Sequence, residues 1–252
     1  LGGNLAPTPW PQAQATLDFA WENGIRFYDT APFYGYGLSE HYFGNGLRQH
    51  SRDDYVLSTK VGRLLKPRSK PQDPKDPWKD PLPFEPVFDY GYDAVMRSFE
   101  DSLQRLGLDR IDILLIHDIG ATTHFGNHAP MMKQAMEGGY KALKKLRDEG
   151  LIGALGMGVN EWEVCMEAMQ HGDFDTFLLA GRYTLLEQEA LDVFLPECQK
   201  RCTTIIIGGP FNSGILAVGA KPGTTYNYEP APKEILDKVA KIEKVFARHK
   251  VP

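Results

Sequence analysis

Short apolar runs alternate with helical stretches along nearly the whole chain, and this alternation restricts the fold more than any other feature. The spacing predicts a helix opened by Thr8 and Pro9 and closed at Asn23-Gly24, then a buried strand over Ile25–Asp29. Ser39 is expected to cap a short helix. Strands follow at Tyr55–Lys60, Ile111–His117, Ile152–Gly156, Thr176–Leu179 and Thr203–Ile207. Helices are expected at Tyr92–Leu106, stopped by Gly107, and at Tyr140–Glu149, Glu161–His171, Glu187–Arg201 and Lys233–His249. Strands apolar on both faces and separated by helices indicate a parallel sheet covered by helices, because parallel neighbours need long crossovers.

Six strand-then-helix units preceded by one helix can be counted. A closed (β/α)8 TIM barrel needs eight, so the first strand would precede Leu1 and the last strand–helix unit would follow Pro252. An open doubly wound sheet is the rival, but it calls for a glycine-rich phosphate turn, and no GxGxxG or GxxxxGK[ST] occurs. The expectation is an α/β protein with one barrel domain over residues 1–252. It is interrupted by an irregular loop at 63–89, whose prolines are too many for helix or strand. Trp78, Phe84, Val87 and Phe88 mark that loop as a lid packed on the barrel.

Composition narrows the partners. A net charge of −5 without a basic stripe argues against nucleic acid, and no apolar run reaches the ~18 residues of a membrane span. Three cysteines without a CxxC, and no glycosylation sequon, suit a reducing cytoplasm. A small-molecule protein, monomeric or homo-oligomeric, is expected.

Catalytic groups of a parallel barrel stand at the C-terminal ends of its strands. Asp29, Lys60 and His117 end three of them, with Tyr34 five residues beyond Asp29. A phenol with a pKa near ~10 is a poor acid–base group at neutral pH, and an adjacent ammonium favours its ionised form. Lys60 would lower that barrier for Tyr34, Asp29 would hold and balance the ammonium, and His117 would donate to a substrate oxygen. Taken singly, a strand-end lysine or aspartate is a surface ion pair and Tyr34 is packing; four together are harder to read that way.

The runs Gly24-Ile25-Arg26-Phe27-Tyr28-Asp29-Thr30-Ala31 with Tyr34-Gly35, Ser39-Glu40, Ser58-Thr59-Lys60 and Leu114-Leu115-Ile116-His117-Asp118 together resemble the aldo-keto reductase superfamily. Phe88-Asp89-Tyr90-Gly91-Tyr92-Asp93, Gly156 to Trp162 and Gly181 to Leu186 resemble its branch of aldose 1-dehydrogenases and pyridoxal 4-dehydrogenases. The resemblance implies a (β/α)8 barrel that binds extended NAD or NADP, NAD being the first expectation, without a Rossmann domain. It implies Tyr34 as proton donor or acceptor, Lys60 and Asp29 as its tuning pair, and His117 as the ligand of the carbonyl or alcohol.

Gly208 to Gly214, after the last expected strand, suits a pyrophosphate through the backbone of Gly209, Phe211, Asn212 and Ser213; the plainer alternative is a Gly-Pro turn. Three positions depart from the superfamily pattern: Val159-Asn160 replaces Ser-Asn, Ala180 replaces a glutamine that meets the nicotinamide amide, and Gly208 replaces a stacking aromatic. Asn160 is then the main carboxamide partner, helped by Arg182, with Phe211 or Tyr183 as the substitute aromatic. On the substrate side, Phe33 and Trp78 would stack on a sugar face or pyridine ring, beside Asp118.

The expected activity is hydride transfer between a nicotinamide and an aldose C1 or a small aldehyde or alcohol. The alternatives are a non-catalytic, cofactor-sensing regulatory subunit of the same fold and a metal-dependent hydrolase using His117, His124 and His128. His124 and His128 lie in a loop without a neighbouring cysteine, and Cys198 and Cys202 read as helix packing, so no metal is expected.

Overall fold

Register decides which side chains share a face, since successive residues of a strand point to opposite sides. The computed structural model describes residues 1–4 and 6–251. Contacts divide the chain into two compact units, Leu1–Met157 and the residues from Gly158 onward.

The first unit opens with α1 (Trp10–Glu22), β1 (Phe27–Asp29), α2 (Leu38–Leu47) and β2 (Val56–Val61). After the hairpin β3 (Arg63–Pro67) and β4 (Phe84–Phe88) come α3 (Tyr92–Leu106) and β5 (Ile113–His117). β1 pairs with β2 in parallel, Asp29 opposite Ser58, and β2 pairs with β5 in parallel, Lys60 opposite Leu115. Residues two apart on a strand face the same way, so Asp29, Ser58, Lys60 and His117 fall on one side of the sheet. Thr59 falls on the other, where its hydroxyl donates to the fully buried Glu40 of α2 (2.7 Å). Arg105 of α3 donates to the other oxygen of Glu40 (2.5 Å), tying both helices to β2.

α3 shows why the 3.6-residue period was readable: Ala94, Val95, Ser98, Phe99, Ser102 and Leu106 are its buried stripe, and Gly107 closes it in the left-handed region (φ 63°). Gly44 of α2 lies where α3 ends, and a Cβ there would stand 2.1 Å from the Leu106 carbonyl oxygen. Only glycine permits that approach. The unit continues with α4 (Ala121–His124), α5 (His128–Gln134) and α6 (Tyr140–Asp148), α6 being entered through a π-turn at Ala135–Gly139.

The second unit begins within β6 (Ala154–Val159) and continues with α7 (Trp162–Ala168), β7 (Thr176–Ala180), α8 (Phe194–Lys200) and β8 (Thr204–Gly208). β7 and β8 are parallel, Ala180 opposite Gly208. α9 (Ile215–Val218), the short ribbon of β9 (Thr225–Tyr226) and β10 (Glu229–Pro230), and α10 (Lys233–His249) complete it. Ile235 and Val239 of α10 pack with Ile215 in a small core.

Several expectations are corrected. Residues 63–89 are not irregular throughout: β3 and β4 form an antiparallel ribbon with Pro67 opposite Phe84 and Pro86 opposite Leu65. Proline is tolerated because both strands of a two-stranded ribbon are edges, and a missing N–H can face outward. Ser39 does not cap α2. The cap is Gly37 (φ 99°), and the Ser39 hydroxyl accepts from Thr30 (2.8 Å) inside the helix's first turn. α8 starts only at Phe194 because Pro196 fits no later than the first helical turn. Cys202 follows that helix with φ 57° and is exposed, so it shares no helix face with the buried Cys198. Among the described residues no helix is long and apolar enough to cross a membrane.

Candidate active site

Tyr34 sits in the tight turn after β1, its N–H donating to the Ala31 carbonyl and its own carbonyl accepting from Ser39. Asp29, at the end of β1, has both carboxylate oxygens engaged. Oδ1 accepts from the Ser58 hydroxyl (2.5 Å) and Oδ2 from Lys60 Nζ (2.6 Å). Lys60, 1 % exposed, also donates to the Thr30 carbonyl (2.8 Å). Its Nζ lies 4.8 Å from the Tyr34 ring centroid. The His117 ring stands edge-on to Tyr34, centroids 5.8 Å apart. The three groups named from the strand ends and Tyr34 are thus one cluster.

Burial raises the Tyr34 pKa above its ordinary value of 10, the charge of Lys60 pulling it down less than burial and Asp29 push it up. The sequence suggested a phenol eased toward ionisation. Lys60 does act in that direction, but withdrawal from water prevails and Tyr34 keeps its proton. Burial also opposes the Lys60 ammonium, yet Tyr34 and Asp29 outweigh it, and the pKa of Lys60 is raised. His117 is held well below the ordinary imidazole range by burial, then by Arg63 and Lys60, so its ring is neutral. A neutral imidazole, a protonated phenol and a fixed ammonium are a donor set for a polarised carbonyl oxygen.

The expected substrate residues surround this cluster. Phe33 packs edge-on against Trp78 (5.3 Å) and near His117 (6.2 Å), and Trp78, 7 % exposed, lies 5.5 Å from the Tyr34 ring. The Trp78 indole N–H is buried without a hydrogen-bond partner among the described residues. Asp118 is not open to a ligand on both oxygens, since its Oδ2 accepts from Arg63 (2.8 Å).

Sequence reasoning missed Arg63 and Tyr90. Arg63 was absorbed into the proline-rich stretch, although it stands three residues beyond Lys60. Tyr90, fully buried, places its hydroxyl 2.9 Å from the His117 carbonyl and 3.2 Å from that of Asp118. Gly62 (φ 107°) makes room, since a Cβ there would lie 2.2 Å from Tyr90 Cε1. His124 Nε2 also meets the Tyr90 hydroxyl (2.8 Å), and His128 Nδ1 meets the Ile119 carbonyl (3.0 Å). No cluster of three or more His, Cys, Asp or Glu side chains suited to a metal occurs among the described residues.

The residues expected to hold a cofactor lie in the second unit, at the ends of its strands. The Asn160 amide donates to the Ala180 carbonyl (3.1 Å), and Arg182 Nη1 donates to the Gly181 carbonyl and to Asn227 (both 3.1 Å). Tyr183 is half-buried and Phe211 is 57 % exposed. Asn212 is buried, donating to the Gly181 carbonyl (3.0 Å) and accepting from the Thr184 hydroxyl (2.6 Å), so it shapes the loop. Ser213 Oγ accepts from the Tyr228 N–H (3.0 Å). Left-handed backbone recurs at Gly209, Asn212, Ser213 and Gly214. Phe211 (φ −98°, ψ 9°) is followed by the left-handed Asn212, but the Asn212 N–H donates to the Gly209 carbonyl (3.1 Å) and the Gly214 N–H to the Phe211 carbonyl (3.0 Å), so part of the loop's backbone donors are engaged within the turn. Gly208 cannot carry the missing aromatic without repacking, since a Cβ there would meet Leu178 (3.0 Å) and Ala180 (3.2 Å).

The model of the aldo/keto reductase family matches residues 1–252. The chain belongs to that family. Relatives include the pyridoxal 4-dehydrogenase of Microbacterium luteolum, 44 % identical over 100 % of this chain and 76 % of that protein. A D-threo-aldose 1-dehydrogenase of a Pseudomonas species is 38 % identical over 96 % of this chain and 72 % of its own. An aldo-keto reductase from Bacillus halodurans, solved in its holo form, superposes with a TM-score of 0.69 at 23 % identity, covering 94 % of this chain and 69 % of that one. The fold is therefore of the α/β (β/α)8 barrel class, and the branch read from the motifs is the one these relatives occupy. This aldo-keto reductase is an oxidoreductase by family.

Proposed function

We propose that this aldo-keto reductase is NAD(P)-dependent and interconverts an aldose C1 centre, or a small aldehyde or alcohol, with its oxidised or reduced partner. The observation that carries the reading is the buried Lys60 ammonium, 2.6 Å from Asp29 and 4.8 Å from the Tyr34 ring centroid, beside a neutral His117. A bound nicotinamide supplies the hydride for reduction and takes it up in oxidation. In reduction, Tyr34 Oη gives its proton to the carbonyl oxygen as the C–O double bond becomes single. In oxidation the same oxygen takes the hydroxyl proton. Lys60 stabilises the tyrosinate formed on donation, Asp29 keeps the ammonium in place, and His117 donates to the substrate oxygen. Phe33 and Trp78 give an apolar wall for a sugar face or a pyridine ring. In the second unit, taken by itself, Asn160, Arg182 and the Gly209–Ser213 loop are the residues we offer as contacts for a nucleotide cofactor.

This arrangement of proton-transfer groups supports an enzyme over a sensing subunit, which needs no buried acid. The test is Tyr34→Phe, which removes one transferable proton and little volume. Reduced nicotinamide is followed with L-fucose, D-arabinose and pyridoxal, and cofactor affinity by calorimetry. Loss of turnover with affinity within about twofold supports the mechanism; near-normal turnover refutes it. Reduction of NAD or NADP by a sugar assigns the aldose class, and by pyridoxal alone the pyridine aldehyde class.

A further inference from the structure

Arg63 opens β3 and is 5 % exposed, yet among the described residues its one hydrogen-bonded side chain is Asp118, through Nη2 to Oδ2 (2.8 Å). Its Nε and Nη1 are buried with no partner among the described residues. The guanidinium lies between two rings, its carbon 4.3 Å from the Phe33 centroid and 4.6 Å from that of Phe88. Asp118 holds a left-handed backbone (φ 47°) that a non-glycine residue adopts at a cost. Its Oδ2, the oxygen bound by Arg63, is 3.4 Å from His117 Nε2. A half-satisfied buried cation and a strained aspartate are poor ways to fill a core, where apolar side chains of the same volume do as well or better.

We propose that Arg63 and Asp118 are positioning residues for His117, the carboxylate fixing which ring nitrogen carries the proton and the guanidinium opposing a second one. The inference rests on the reading of His117 as the donor to the substrate oxygen. A carboxylate 3.4 Å from Nε2 favours N–H over a lone pair at that atom, because the lone pair would face a negative oxygen. Left alone, the same carboxylate would also invite full protonation. Arg63 neutralises that pull by sharing the oxygen, and its charge and that of Lys60 both act against a second proton on the ring. Burial, Arg63 and Lys60 hold the imidazole well below its ordinary range, in keeping with this arrangement. Among the described residues, the ring touches Tyr34 from the β1 turn and its own neighbour Asp118, and the charges of Lys60 from β2 and Arg63 from β3 act on it. The Tyr90 hydroxyl holds the carbonyls of both His117 and Asp118, and His124 meets that hydroxyl in turn. The result is a neutral ring whose proton on Nε2, an atom 3.4 Å from Asp118 and not hydrogen-bonded to it, is left for a substrate oxygen, and which does not compete with Tyr34 as the acid.

Nitrogen-15 histidine spectra of the full protein test this, His117 being assigned from the signals lost in His117→Asn. The wild-type ring should be neutral, with its proton on Nε2, from about pH 5 to 8. Arg63→Met should raise the midpoint by ~1 pH unit or more, and Arg63→Lys should hold it low. Asp118→Asn should move the neutral ring toward the tautomer protonated on Nδ1. A wild-type ring that titrates within that range, or carries its proton on Nδ1, overturns the proposal whether or not the variants fold. So does an unmoved midpoint in folded Arg63→Met, or an unmoved tautomer in Asp118→Asn. The readout is the ring and not turnover, so failure here and failure of the oxidoreductase reading are separate results.

Discussion

Replacing Asp29 by asparagine keeps the shape of the side chain and removes the charge that faces Lys60. The ammonium is 1 % exposed and would lose its carboxylate, keeping neutral acceptors such as the Thr30 carbonyl at 2.8 Å. Breaking a buried ion pair by deleting one partner costs about 3–5 kcal/mol, because the remaining charge stays out of water uncompensated. The Asp29 side chain is 23 % exposed, so water can partly replace it, and the expected loss is about 3 kcal/mol, the low end of that range. Equilibrium unfolding in urea, followed by tryptophan fluorescence, measures it. The cycle with Lys60→Met isolates the pair: once the ammonium is gone, losing the carboxylate matters less, and the double variant should cost about 2 kcal/mol less than the sum of the singles. Additive losses, or an Asp29→Asn protein as stable as the parent, would show that Lys60 is not held by Asp29, and the tuning role of the pair would go with it.

Gly44→Ala should destabilise by about 2 kcal/mol or more, since its Cβ would stand 2.1 Å from a backbone oxygen of α3 that cannot move without displacing the helix. The same urea titration reads it. The raised pKa of Tyr34 sets a pH dependence with a definite sign. The protonated phenol donates, so reduction should hold level from neutral pH to at least ~10 and then fall, and the ionised phenol accepts, so oxidation should rise about tenfold per pH unit below that point. Initial rates in both directions check it, and an oxidation rate that levels off near neutrality would contradict it.

The cluster of Asp29, Lys60 and His117 was legible because two regularities meet in it. Strand ends carry the chemistry of a parallel barrel, and a period of two fixes the face, so the positions follow from the order of residues alone. α3 was legible for a similar reason, its stripe and its terminal glycine being local signals. Arg63 was hidden by a rule applied too widely: prolines exclude a central strand, but β3 and β4 are both edges and accept them. Tyr90 stood inside a motif that carried the family resemblance, yet nothing local says that a tyrosine will reach the carbonyls of residues 27 and 28 positions away. The net shift of Tyr34 was likewise beyond reach, because it depends on how much water the turn and Trp78 exclude. In the second unit, the spacing placed Asn212 in the loop after β8 but could not tell that both ends of its amide are engaged within that unit.

The central claim is that hydride passes directly between the substrate carbon and a nicotinamide while Tyr34 handles the proton. The most direct test supplies the accepted sugar or alcohol with deuterium on the reacting carbon, in ordinary water, and weighs the reduced cofactor. The account predicts one deuterium on each reduced nicotinamide, with turnover slowed by the label or limited by release. Reduced cofactor carrying only solvent hydrogen would contradict it.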